Sequence, residues 1–152
     1  MTKYNLTEKK GQAAYCKHIR KEMIDKLSKK IKYIIVNKKK YKDKDFSARQ
    51  LASDIGTNSR YVSAVIRICF GCNYSEFVNK YRIEEAVSIL ENEKFDGLTM
   101  CDVSDLVGFA NRQSFYAAFF KFKGMSPCDY KKPLMRLAQI FVLIIYRYLM
   151  MD

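Results

Sequence analysis

Apolar residues recur at helical spacing along most of this 152-residue chain, and they are densest in residues 74 to 91, YSEFVNKYRIEEAVSILE. At helical pitch Lys80, Glu84, Ser88 and Glu91 fall in one narrow polar strip, while Phe77, Val78, Tyr81, Ile83, Ala86, Val87, Ile89 and Leu90 cover most of the remaining circumference. A surface helix carries a single apolar stripe. A helix this apolar around its girth is therefore predicted to be a rod buried on two sides, with one lobe before it and one after. Arg82 lies in the apolar sector with Glu85 three residues on. A buried guanidinium requires an acidic or carbonyl partner, which favours a structural role for Arg82 over a contact with a binding partner.

Upstream, Ile19, Met23, Leu27, Ile31, Ile34 and Ile35 recur at spacings of three and four. They predict an amphipathic helix over 18 to 36 with Lys and Arg outward, either solvated and packed on the first lobe or touching phosphates directly. Residues 37 to 45, NKKKYKDKD, read as a charged connector. The first lobe runs from Phe46 to about Phe70. Ser47 and Gln50 have the spacing of a capping box, Leu51 and Ile55 point inward, and Gly56 stops the helix. Asn58 or Ser59 can then cap a second helix carrying Arg60, Tyr61, Val62, Ser63, Val65, Ile66 and Arg67. Two short helices joined by a turn with glycine fit a helix-turn-helix, a weak signal when it stands alone.

The same pattern returns after the rod. Thr99 to Asp102 resembles another capped start, and Val103, Val107 and Gly108 each fall 52 residues after Leu51, Ile55 and Gly56. Beyond Gly108 the second copy is one residue longer before a helix with Phe115, Ala118, Phe119 and Phe122. Gly124 ends that helix, and Ser126 with Pro127 starts a short last one. An internal duplication with a rod between the copies is far more specific than either copy. The predicted fold is all-α: two helix-turn-helix subdomains joined by a long linker helix, with an extra N-terminal helix and a C-terminal apolar helix. The expected divisions are 1–45, 46–132 and 133–152.

Composition narrows the partner. The formal net charge is +12, which favours a polyanion, either nucleic acid or an anionic membrane. Scarce breakers, 6 Gly and 2 Pro, agree with a helical chain. The 5 cysteines are odd in number and show no disulfide framework, and Met1 to Lys10 lacks an apolar signal region, so a reduced, cytoplasmic setting is expected. Cys69 and Cys72 form a lone CxxC, and His18 is the only histidine. Four zinc ligands are not in view, so ordinary packing is the expected role and no metal or cofactor is anticipated. No P-loop or nucleophile elbow is present, and an enzyme is not expected.

Leu51-Ala52, Gly56, Tyr61-Val62, Gly71, the run YRIEEA from Tyr81 to Ala86, Leu90, Val107-Gly108-Phe109, Ser114-Phe115, Phe119, Gly124-Met125-Ser126-Pro127 and Tyr130-Lys131 stand in a specific order and spacing. Residues 46 to 132 resemble the DNA-binding domain of the AraC/XylS transcription regulators. The resemblance implies about seven helices, with the second helix of each unit entering a major groove, in successive grooves roughly 34 Å apart. It implies DNA-binding roles for Asn58, Ser59, Arg60, Ser63 and Arg67 in the first unit. In the second unit it implies them for Asn111, Arg112, Gln113, Ser114, Tyr116 and Lys121, with Lys123 adding charge to the same edge. Arg60 suits the O6 and N7 edge of guanine or a phosphate, Arg67 at the far end suits a phosphate, and Gln113 suits adenine N6 and N7, a helix cap or plain solvent exposure. Asn111 and Ser114 suit phosphates at a helix start, and Tyr61 suits support under its helix in preference to contact with a thymine methyl. The family often has arginine where Ala64 and Ala117 stand and a basic residue where Phe120 stands. The departures weaken base readout without excluding it, since alanine can still touch a thymine methyl, and the second unit is expected to grip mostly the backbone.

The 45 residues before Phe46 are too few for a ligand-binding barrel, so no small-molecule effector is expected. Double-stranded DNA and RNA polymerase are the expected partners. Residues 134 to 151, LMRLAQIFVLIIYRYLMM, go beyond the family pattern. At roughly 18 residues with three polar interruptions, the segment falls short of a spanning helix. It docks on the N-terminal helix or a second copy as a homodimer contact, touches a membrane, or is a remnant. The competing function is a degenerate helix-turn-helix serving as a protein-interaction or membrane-associated module.

Overall fold

The computed structural model describes residues 21–132 and Leu137. The expectations for Cys16, His18 and Ile19, and those for the apolar tail, lie outside the described residues, apart from an exposed Leu137. All regular structure among the described residues is helical: α1 (Lys21–Lys32), α2 (Ala48–Ile55), α3 (Ser59–Phe70), α4 (Tyr74–Leu90), α5 (Met100–Leu106), α6 (Arg112–Lys123) and α7 (127–132). The fold is the all-helical one that the periodicity predicts. The chain divides into two compact units, and the boundary falls between Tyr81 and Arg82, inside α4.

In the first unit, α1 buries Ile24, Leu27 and Ile31 against α2 and α3, and a π-helical turn over Tyr33–Asn37 adds Ile34 and Ile35 to the same core. That turn is closed by the Lys38 N–H donating to the Tyr33 carbonyl at 3.2 Å, five residues back. The inward stripe differs from the expected one at one point: Met23 is exposed and Ile24 is buried. Position 24 lies seven before Ile31 and three before Leu27, which is the centre of the helical face, whereas 23 lies at its edge. The charged connector also has an anchor. Tyr41 is buried and stacks on Tyr81 with ring centroids 6.1 Å apart. Leu51, Ala52 and Ile55 of α2, Val62, Val65 and Ile66 of α3, and Phe77 and Val78 of α4 complete the core.

The second unit is built round the other half of the rod. Ile83, Ala86, Ile89 and Leu90 of α4 pack with Val103, Val107, Phe109, Phe115, Ala118 and Phe119. Thus one half of α4 supplies each core, while Lys80, Glu84, Ser88 and Glu91 are exposed. Arg82 is buried, with its guanidinium 5.4 Å from the Phe109 ring centroid, a stacking that lets a planar cation sit in an apolar sector. The described residues of α7 are tied down by polar contacts. The Tyr130 hydroxyl donates to Glu91 Oε1 at 2.6 Å, and the buried Lys131 ammonium donates to the Asp96 carbonyl at 3.1 Å. Lys131 is therefore held inside the unit and is not part of a basic surface.

Candidate nucleic-acid interface

The two candidate reading helices, α3 and α6, are set by matching local chemistry. Each is preceded by a short helix that opens with a capping box. Ser47 Oγ accepts from Gln50 N–H while Gln50 Oε1 accepts from Ser47 N–H, and Thr99 and Asp102 do the same. A cap of this kind is worth about 1 kcal/mol. The turns that follow also correspond: Thr57 N–H donates to Ala52 carbonyl at 2.8 Å, and Phe109 N–H donates to Ser104 carbonyl at 3.0 Å. Gly56 and Gly108 sit in these turns with φ of 72° and 92°, a region where a Cβ is penalised. The offset between the copies is 52 residues up to these glycines.

The offset becomes 53 at the next pair. Asn58 caps α3 and Asn111 caps α6, their side-chain oxygens accepting from Tyr61 N–H at 3.0 Å and Ser114 N–H at 2.8 Å. The extra residue of the second copy therefore lies between Gly108 and Asn111. Both helices are 12 residues long and both stop at a left-handed glycine, Gly71 with φ 70° and Gly124 with φ 72°. Asn73 and Ser126 then open the next helices through bonds from Glu76 N–H and Asp129 N–H.

On α3, Val62, Ala64, Val65 and Ile66 are buried, and Ser59, Arg60, Ser63 and Arg67 are exposed on the opposite side. Arg60, Ser63 and Arg67, at i, i+3 and i+7, form one outward strip. Tyr61 is half-buried and packs against the core. Ala64 is only 2% exposed, so it cannot touch a thymine methyl.

On α6, Phe115, Ala118 and Phe119 are buried, and Arg112, Gln113, Ser114, Ala117, Phe120, Lys121 and Lys123 are exposed. Tyr116, expected to face out, is half-buried and acts as a prop. Arg112 Nη2 donates to its hydroxyl at 3.0 Å, the guanidinium lies 4.8 Å from the ring centroid, and Cys128 Sγ is 3.0 Å from the same hydroxyl. Burial and the Cys128 bond push the Tyr116 phenol up, and the Tyr116 bond pushes the Arg112 guanidinium up. Arg112 is thereby held charged and oriented. Cys128 has no signal in the sequence, because nothing in its local pattern links it to α6. The oxygens of Asn58 and Asn111 and the N–H of Ser114 are committed to caps.

Cys69 and Cys72 pack against the first core, and burial pushes both thiols up. A raised thiol is a poor thiolate, as suits packing. Among the described residues no group of three or more His, Cys, Asp or Glu gathers to hold a metal. No helix among them is long and apolar enough to cross a membrane.

Residues 51–133 match the family described as a helix-turn-helix domain. The chain belongs to this family, in its AraC-type form, the DNA-binding fold of transcription regulators. Over 90 residues, 59% of the chain, it is 24% identical to an uncharacterized HTH-type transcriptional regulator, YtdP, of Bacillus subtilis (strain 168). The chain spans 11% of that relative's length. Two solved structures share the fold. One is the C-terminal domain of AraT, a response regulator from Geobacillus stearothermophilus, with TM-score 0.60, 24% identity, and coverage of 71% of this chain and 84% of that one. The other is the C-terminal domain of the two-component response regulator yesN from Fusobacterium nucleatum subsp. nucleatum ATCC 25586, with TM-score 0.61, 24% identity, and coverage of 68% and 96%.

Proposed function

We propose that the chain is a sequence-specific regulator of transcription that binds double-stranded DNA through α3 and α6, each laid in a major groove. The observation that carries this reading is the pair of 12-residue helices with the same asparagine cap, the same glycine stop and an outward face of polar and cationic side chains. In the first unit Arg60 reads guanine, Ser63 adds a polar contact and Arg67 holds a phosphate, with Ser59 and the Asn58 amide at the helix start serving the backbone. In the second, Gln113 reads adenine, Arg112 is aimed by Tyr116, and Asn111, Ser114 and Lys121 hold phosphates.

The net charge of +12 supports a polyanionic partner, and phosphate neutralisation supplies the sequence-independent part of the affinity. RNA polymerase is the protein partner this reading implies, and a second copy meeting through residues 134–151 is the oligomer it implies. Selection of bound sites from a random duplex pool tests the reading. An enriched motif supports it, whereas the absence of enrichment at moderate salt favours an interaction module whose reading helices no longer read.

A further inference from the structure

The offset that relates Asn58 to Asn111 and Gly71 to Gly124 also relates Arg67 to Phe120 and Arg60 to Gln113. On α6 the side chains of Gln113, Ala117 and Phe120 stand at i, i+4 and i+7, so they share one face. That face is opposite the buried Phe115, Ala118 and Phe119. Phe120 is 63% exposed at its centre. A phenyl ring so placed is a large apolar surface left to water. Its near neighbours on the helix surface are cationic: Lys121 and Lys123 are both exposed. An apolar strip bordered by ammonium groups does not match a purely apolar protein surface. It does match a groove whose walls are phosphates and whose floor presents methyl groups.

We propose that Phe120, with Ala117 beside it, is a specificity-determining residue that packs on the C5-methyl groups of thymine in the second half of the DNA site. The two units then read by different chemistry. The first offers the Arg60 guanidinium to a hydrogen-bonding base edge. The second offers Gln113 to one base edge and an apolar surface to adjacent thymines. At the equivalent positions, Arg67 of the first unit holds a phosphate and Phe120 of the second has no charge with which to do so. The inference rests on α6 being a groove-entering helix.

The test uses the full chain and the duplex recovered by selection from a random pool. Thymines of the second half-site are replaced one at a time by deoxyuridine, which removes the methyl and leaves the pairing edge intact. At a contacted thymine the wild-type chain loses about threefold to fivefold in affinity, the worth of one buried methyl. Phe120→Ala binds the unmodified duplex more weakly, and deoxyuridine at the same position no longer changes its affinity. Phe120→Arg loses the preference for thymine at that position in a fresh selection. Because the ring is exposed, both variants keep the wild-type helical spectrum, and a loss of binding is read only where that holds.

Insensitivity of the wild-type chain to every deoxyuridine in a selected site overturns the inference while leaving the DNA-binding reading intact. So does unchanged binding of the selected duplex by Phe120→Ala. Failure to select any duplex overturns both readings.

Discussion

The Lys30 ammonium donates to the Ile55 carbonyl at 3.3 Å, joining α1 to the last turn of α2. The carbonyls at a helix end lack intrahelical partners, and the negative end of the dipole favours a cation there. One lysine of the basic N-terminal helix is thus part of the first helix-turn-helix unit, and α1 belongs to its core through Ile24, Leu27 and Ile31. Lys30→Met keeps most of the aliphatic stem and removes the bond. Urea unfolding is expected to show a loss of about 1 kcal/mol. An unchanged midpoint would mean that the contact contributes nothing in solution.

The two asparagine caps make the starts of α3 and α6 separately testable. Asn58→Ala and Asn111→Ala each remove one acceptor for a helix N–H, and each is expected to cost about 1 kcal/mol. Aspartate at either position retains the acceptor, so Asn58→Asp and Asn111→Asp should keep the thermal midpoint close to wild type. Their added negative charge should instead weaken binding to DNA, which separates folding from recognition by comparing melting with affinity.

The capping boxes differ in one respect that pH can detect. Gln50 closes the first and does not titrate, whereas Asp102 closes the second. The hydrogen bonds from Thr99 hold the Asp102 carboxyl below the usual aspartate range. A depressed folded-state pKa contributes stability that is complete above the unfolded value of about 3.9 and is lost as pH falls through the folded value. Asp129, lowered by Ser126 and then Lys132, carries the same sign. Acid titration followed by proton resonances should therefore show the Thr99, Asp102 and Val103 amides losing protection under conditions where those of Ser47, Gln50 and Leu51 retain theirs. Asp102→Asn should abolish that difference.

Arg60 and Lys121 are expected to fail in different ways. Arg60→Ala relaxes base preference in one half-site, with about 1–3 kcal/mol of discrimination lost at a single position. Equal loss on all sequences would reassign Arg60 to the backbone.

Lys121→Ala weakens every duplex alike and reduces the steepness of the salt dependence by about one unit. A salt titration of wild type and variant on one selected and one random duplex measures it. An unchanged slope would remove Lys121 from the phosphate-contacting set.

Much of this arrangement was legible because it is made by local chemistry. Ser47, Gly56, Asn58, Thr99, Gly108, Gly124 and Ser126 act on backbone groups within a few residues, and their repetition marked the two units before any packing was known. The circumferential apolarity of α4 showed that it serves two cores. Features decided by side chains far apart in sequence were hidden. Tyr41 sits in a run of lysines, and only its stacking on Tyr81 makes it an anchor. Lys131 reads as one more surface cation until Asp96 is placed beside it. Ala64 and Ala117 look equivalent in the sequence, yet one is buried and the other exposed. Met23 and Ile24 were separable only by the exact phase of α1, since a stripe of spacings three and four admits either as its first member.

The proposal that two matched helices address two grooves is tested most directly by site selection with the whole chain on random duplex DNA. A motif in two parts is expected, its centres about 10 base pairs apart, one turn of the double helix. A motif in one part, or no enrichment over the starting pool at moderate salt, would contradict it.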